Sequence, residues 1–165
     1  VAKELLGTFL MRRTGGKIIE AMITEVEAYK GLKDKASHAS RGKTSRTEVM
    51  FGKPGIYYIY LVYGMHHCLN IVTEKEGYPA AILIRSVEGT QGPGRVCRYF
   101  KIDKRFNAMP VNAQTGLWIE DRGVNLKPRQ IKRGKRIGIE YAGRWKEKKW
   151  RFYIEKPGQP QLIRP

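Results

Sequence analysis

The chain has 165 residues, 41% of them hydrophobic, with Lys+Arg 32 against Asp+Glu 15 and a formal charge of +17. That length fits one domain with one core, the apolar fraction excludes a disordered chain, and no run of about 18 apolar residues exists to span a membrane. So basic a domain favours a polyanionic partner, nucleic acid above all, over the blander readings of plain solubility or an anionic membrane surface.

No signal-peptide pattern opens the chain, and because it starts at Val1 without Met, an incomplete N-terminus is expected. Cys68 and Cys97 have neither the spacing of a disulfide framework nor that of a zinc ribbon, so a reducing interior compartment is the expectation. That places the protein inside the cell, in the cytoplasm or nucleoid of a prokaryote or the nucleus of a eukaryote.

Residues 1–10 carry Val1, Leu5, Leu6 and Phe9 at helical spacing, which predicts a helix. Residues 17–29 (KIIEAMITEVEAY) mix β-branched and polar residues and read as a strand. Residues 30–53 are polar and basic, with a short helical stretch near Ser45–Phe51, and KPG then makes a turn. IYYIYLVY (56–63) reads as a buried strand, Gly64 breaks it, and HHCLNIVT (66–73) returns as a hairpin. AAILIRSV (80–87) is another strand, and GPGRVCRYF (92–100) a turn followed by a short helix. WIED, RIGIEY and RFYIE are read as later strands. The basic, Trp-containing stretch 127–151 is either a DNA-facing surface or a solvated one. Many strands with few helices predict an α+β single domain over 1–165, built on a curved, largely antiparallel sheet.

Residues two apart on a strand share a face. Glu25, Glu27 and Tyr29 therefore line up in TEVEAY, and a carboxylate beside an aromatic suits hydrolysis of a bond to a planar group. Against that stands the commoner fate of a lone Glu, a solvated surface charge. In IYYIYLVYG, Tyr58 and Tyr60 share one face and Tyr57 and Tyr63 the other. They are either sheet packing or a platform on which a base stacks, at about 1–3 kcal/mol per base. His38, His66, His67 and Cys68 do not have the spacing of one metal centre. Arg85, inside an apolar strand, calls for a carboxylate such as Glu27, unless it is a sheet-edge Arg whose head reaches solvent.

These segments together resemble the alkyladenine (3-methyladenine) DNA glycosylases. ITEVEAYKG with DKASHASRG, MFGKPGIYYIYLVYGMHHCLNIV, AAILIRSVEG, GPGRVCRYFKID, and RIGIEYAGRW with RFYI occur in the family's order over nearly the whole chain. The resemblance implies that Glu27 activates a water and Arg85 helps to hold it. It implies that Tyr29, His38 and Tyr60 stack on the base, Asn70 lies at the pocket floor, and Tyr63 wedges into the DNA. All seven residue types are retained. The family fold, a mixed α/β domain with a curved antiparallel sheet, agrees with the reading of the elements.

Two departures stand out. The family usually has a longer, often basic stretch between the Arg85 strand and the GPG helix. Here residues 86–92 fill it, so either this member is trimmed or a segment near 88–92 is missing. His66 and His67 stand where aromatics are frequent.

The activity implied is flipping an alkylated or deaminated purine from double-stranded DNA and hydrolysing its N-glycosidic bond. The candidate lesions are 3-methyladenine, 7-methylguanine, hypoxanthine and ethenoadenine. No cofactor, metal or membrane is implied, a monomer is expected, and without a Schiff-base lysine no strand nicking is expected. Two other classes remain. A non-catalytic nucleic-acid module would bind without releasing base, and leaves Glu27 without a job. A hydrolase of free nucleosides would gain nothing from the +17 charge.

Overall fold

Two hairpins carry the sheet. β1 (Phe9–Thr14) runs antiparallel to β2 (Lys17–Lys30). They are joined by Gly15 and Gly16 at φ 54 and 72, the left-handed pair that a two-residue turn demands. β3 (Tyr57–Val62) returns as β4 (His66–Val72) with Tyr60 opposite Cys68. β5 (Ala80–Val87) lies between β4 and β2, and β6 (Thr90–Gln91) folds back on β5. α1 (Pro93–Tyr99) follows directly. β7 (Leu117–Glu120) pairs with β1, while β8 (Ile131–Gly134) pairs with β9 (Arg151–Ile154), which joins β2. The computed structural model describes residues 1–155; the last ten residues of the expected domain lie outside the described residues.

The pairings are all antiparallel, in the order β3-β4-β5-β2-β1-β7 with β9 and β8 branching from β2. The sheet curls around a core made by one face of each strand: Leu10, Ile23, Val26, Ile59, Leu69 and Ile84 are among its buried members. α1 closes it with Val96 and Cys97, next to Phe100. The opposite face of β3, β4 and β5 is covered in part by residues 31–56. There Met50 and Ala39 pack on Tyr58, Val72 and Ala81. The curved antiparallel sheet, with one short α-helix and several 3-10 turns among the described residues, is the α+β architecture expected from the sequence.

Strict alternation fails at one level, and the site depends on it. Ile23 and Val26, three residues apart, both point into the core, as do Ile84 and Val87 on the partner strand. The β2–β5 register shifts on either side of Glu25. A bulge of this kind re-aims side chains. Here it leaves Glu25, Glu27, Arg85 and Ser86 all facing the same cleft.

Several expected elements differ. Residues 2–7 form turns rather than a helix, because Gly7 at φ 87 ends any helical path and Phe9 enters β1. The helical stretch near Ser45–Phe51 is a 3-10 helix, Glu48–Phe51. RIGIEY is not a strand: Gly138 stands at φ 75, and a 3-10 helix, Glu140–Glu147, begins inside the segment. Its apolar residues at 137, 139 and 141 alternate like a strand, but only Ile139 is buried, while Ile137 and Tyr141 are exposed. WIED and RFYIE do contain strands. Tyr63 does not share a face with Tyr57. Tyr57 is buried and donates its hydroxyl to the Leu117 carbonyl at 2.9 Å, whereas Tyr63 lies beyond β3 in the turn.

The stretch 127–151 is neither wholly solvated nor wholly presented to a partner. Lys132, Lys135 and Lys146 pair with Glu155, Glu147 and Glu140, and Arg136 is buried. Cys68 and Cys97 are both buried and free. No helix among the described residues is long and apolar enough to cross a membrane.

Candidate active site

A cleft of about 1400 Å³ opens on the non-core face of the sheet. Its floor is Glu27, Leu83, Arg85, Cys68 and Asn70. One wall is the 3-10 helix His38–Arg41, whose Ser37 cap accepts from the Ala39 amide. The other is the strap Ile137–Ile139 with Tyr141, and the start of α1 forms the end. All seven residues singled out from the sequence line this one cleft: Glu27, Tyr29, His38, Tyr60, Tyr63, Asn70 and Arg85.

Glu27 is fully buried. Its Oε1 accepts the Ile137 amide at 2.9 Å and its Oε2 accepts the Tyr29 hydroxyl at 2.8 Å. Arg85 Nη1 lies 3.6 Å from Oε1, an ion pair rather than a hydrogen bond. Burial pushes the Glu27 carboxyl up from the usual carboxylate range, opposed by Arg85, then by the Ile137 amide and Tyr29. The group is thus a stronger base than a solvated Glu, yet has donors ready for its charged form. Arg85 is not a sheet-edge residue with a solvated head. It sits between Glu27 and Glu25, its Nε 3.4 Å from Glu25 Oε1.

The aromatic wall is neutral. Burial, reinforced by Arg46 and Arg41, pushes His38 down to about 4, and burial first of all pushes the Tyr29 and Tyr60 hydroxyls up. His38 Nδ1 and the Tyr58 hydroxyl share a hydrogen bond at 3.0 Å. The His38 and Tyr60 rings meet edge-to-face with centroids 4.5 Å apart. No base fits between those two, so a guest must lie against the pair rather than within it. Arg46 stands over Tyr60 at 5.6 Å. Asn70, buried on the floor, donates Nδ2 to the carbonyls of Tyr58 at 3.0 Å and Cys68 at 3.3 Å, which fixes its amide plane.

Tyr63 is 89% exposed at the rim. It and Gly64 have φ 51 and 68, and the Met65 amide closes the turn on the Val62 carbonyl at 3.1 Å. A turn with two left-handed residues favours Asn-Gly, so a Tyr at the first position is strained and, projecting from the rim, available to a partner.

The chain belongs to the methylpurine-DNA glycosylase family. The family model matches residues 1–91 and 87–157, dividing at the β5–β6 hairpin. A relative from Methanocella arvoryzae is 43% identical over 93% of this chain and 85% of its own length. One from an Anaeromyxobacter species is 44% identical over 99% and 91%, and one from Desulfitobacterium hafniense 39% identical over 94% and 89%. All three are named as 3-methyladenine DNA glycosylases. The glycosylase is therefore an enzyme of the class that hydrolyses N-glycosyl bonds in DNA.

Several residues of the glycosylase cleft carry no sign of their place in the sequence. Glu25 accepts Ser86 Oγ at 2.7 Å and Arg151 Nη1 at 2.9 Å. Arg151 Nε in turn holds the Lys135 carbonyl at 2.8 Å. The period-two pattern puts Glu25 beside Glu27, but nothing in it reveals Arg151, 126 residues away. Asp34 and Arg136 form a buried bidentate pair behind the cleft. The one available signal was Asp34 two residues before Ala36, whose amide it accepts at 3.1 Å, a turn for which Asp is suited.

Proposed function

We propose that the glycosylase excises alkylated or deaminated purines from double-stranded DNA, in the class of 3-methyladenine, 7-methylguanine, hypoxanthine and ethenoadenine, as a monofunctional enzyme. The observation that carries this is a fully buried Glu27 with two hydrogen-bond donors and the Arg85 guanidinium around it, set in the floor of a cleft walled by neutral aromatics.

The target nucleotide leaves the stack and enters the cleft, with Tyr63 taking its place in the duplex. The base lies against Tyr29 and the His38–Tyr60 pair. An N3- or N7-alkylated purine is cationic, and each well-placed aromatic face favours a cation by about 0.5–2 kcal/mol. A His38 held neutral adds no repulsion. As the C1′–N bond breaks, its electron pair leaves with the base and positive charge builds on the sugar. Glu27 stabilises that charge and takes a proton from the water whose oxygen bonds to C1′, while Arg85 helps to hold the water. The products are a free base and an abasic site. Asn70, fixed by two carbonyls, disfavours an undamaged guanine, whose 2-amino group meets it; 7-methylguanine carries the same group but, being cationic, leaves readily enough to be released.

The test is a set of duplex oligonucleotides each carrying one defined lesion, incubated with the protein and then treated with hot alkali. Strand breaks at the lesion after alkali, and none before it, are expected. Binding without alkali-labile sites would make this chain a non-catalytic module.

A further inference from the structure

Behind the cleft lies an ion pair that takes no part in its lining. Asp34 and Arg136 side chains are both 0% exposed and meet at 2.6 Å and 2.8 Å through two parallel bonds. Taking two charges out of water is costly and rarely adds net stability, so their geometry is informative. Arg136 Nη1 also donates to the Ala28 carbonyl at 2.9 Å, and Nη2 to the Trp145 carbonyl at 3.4 Å. The guanidinium stacks over Tyr29 at 4.7 Å and Trp150 at 5.1 Å. Asp34 accepts the amides of Lys30 at 3.3 Å and Ala36 at 3.1 Å. One pair thus joins the end of β2, the loop leading to His38, the strap and the 3-10 helix beyond it.

The next residue in the strap is Ile137, whose amide is the donor on Glu27 Oε1. We propose that Asp34 and Arg136 are positioning residues for base release, holding the Ile137 amide on Glu27 and the Tyr29 ring and hydroxyl in the cleft wall. This rests on Glu27 acting as the base. Arg136 cannot be exchanged for Lys, because one ammonium cannot make the fork to Asp34, reach two carbonyls and stack on two rings together.

Among the described residues, the titratable groups that face Glu27 are Arg85 from β5, Glu25 and Tyr29 from its own strand, Tyr60 from β3, and Cys68 from β4. Against that fixed set, loss of the Ile137 donor disfavours the carboxylate and moves its ionisation to higher pH.

The experiment follows base release in single turnover from pH 5 to 9, with enzyme in excess over a lesion duplex. In Arg136→Lys the acid limb is expected to move to higher pH, with a loss on the order of tenfold at the acid end and a smaller one above pH 8. Ile137→Pro removes the same N–H on an exposed residue while keeping both side chains of the buried pair, and is expected to shift the limb the same way. A folded variant with the wild-type profile, or one slowed equally at every pH, overturns the proposal. Should both variants fail to fold, the wild-type protein decides: the Ile137 amide proton resonance is expected to titrate with the Glu27 carboxyl. An amide insensitive to that ionisation overturns the proposal. Because this reading needs no turnover, it stays separate from the question of whether the protein releases base at all.

Discussion

Tyr63 allows function and stability to be moved in opposite directions. The side chain is 89% exposed, so folding buries only about a tenth of its surface. At roughly 25 cal/mol per Å² and about 200 Å² for a tyrosine, truncation to Ala costs on the order of 0.5 kcal/mol. The φ of 51 at Tyr63 costs about 1–2 kcal/mol for an ordinary L-residue, a strain that Asn relieves in this turn. Tyr63→Ala should therefore melt within about 2 °C of wild type, and Tyr63→Asn about 2–4 °C higher. Binding behaves otherwise. Losing a stacked aromatic is worth about 1–3 kcal/mol, or about fivefold to 150-fold in affinity. Both variants should lose that in the dissociation constant for a lesion duplex, measured by anisotropy, together with the fluorescence change of a flipped ethenoadenine. A Tyr63→Asn protein that is less stable than wild type, or that flips the base undiminished, refutes the reasoning.

Other consequences are as direct. Glu27→Gln should be more stable than wild type at neutral pH, because Gln still accepts the Ile137 amide but carries no buried charge. The sign depends on pH: below the ordinary carboxylate value both states of the wild type hold the proton. As pH rises, the unfolded chain ionises first and wild-type stability falls until folded Glu27 ionises too. The gap in melting temperature should therefore open with rising pH; a constant gap contradicts the burial account. Asn70→Ser or Asn70→Ala should raise the ratio of guanine to hypoxanthine release from matched oligonucleotides, since a smaller side chain relieves the clash. An unchanged ratio in a well-folded variant removes the gate. Duplex binding should weaken steeply with salt, by a slope of about −0.9 for each phosphate neutralised, and a slope near zero would point away from nucleic acid.

The sequence was most informative where chemistry and strand period coincide. TEVEAY and IYYIYLVYG place Glu27, Tyr29, Tyr58 and Tyr60 by alternation alone, and Gly64 marks the turn that exposes Tyr63. Arg85 stood out as a charge inside an apolar strand that calls for a carboxylate, and it pairs with Glu27 and Glu25; the role of His38 followed only from resemblance to a family, since a loop His has no period of its own. What stayed hidden is long-range. The bulge beside Glu25 breaks alternation on two strands at once, and only their pairing reveals it. RIGIEY alternates like a strand, yet Arg136 points inward to reach Asp34, 102 residues earlier. Beyond the turn that Asp34 makes with the Ala36 amide, a pair of buried charges at that separation leaves no local trace, because either residue alone reads as a solvated surface group.

The central claim is that Glu27 activates the water. The most direct test is single-turnover release of a lesion base from duplex DNA by wild type and by Glu27→Gln, with binding of the same duplex measured alongside. The account expects both proteins to bind the lesion, and the variant to release base slower by about a hundredfold or more. A Glu27→Gln protein that binds and releases base at the wild-type rate would contradict it.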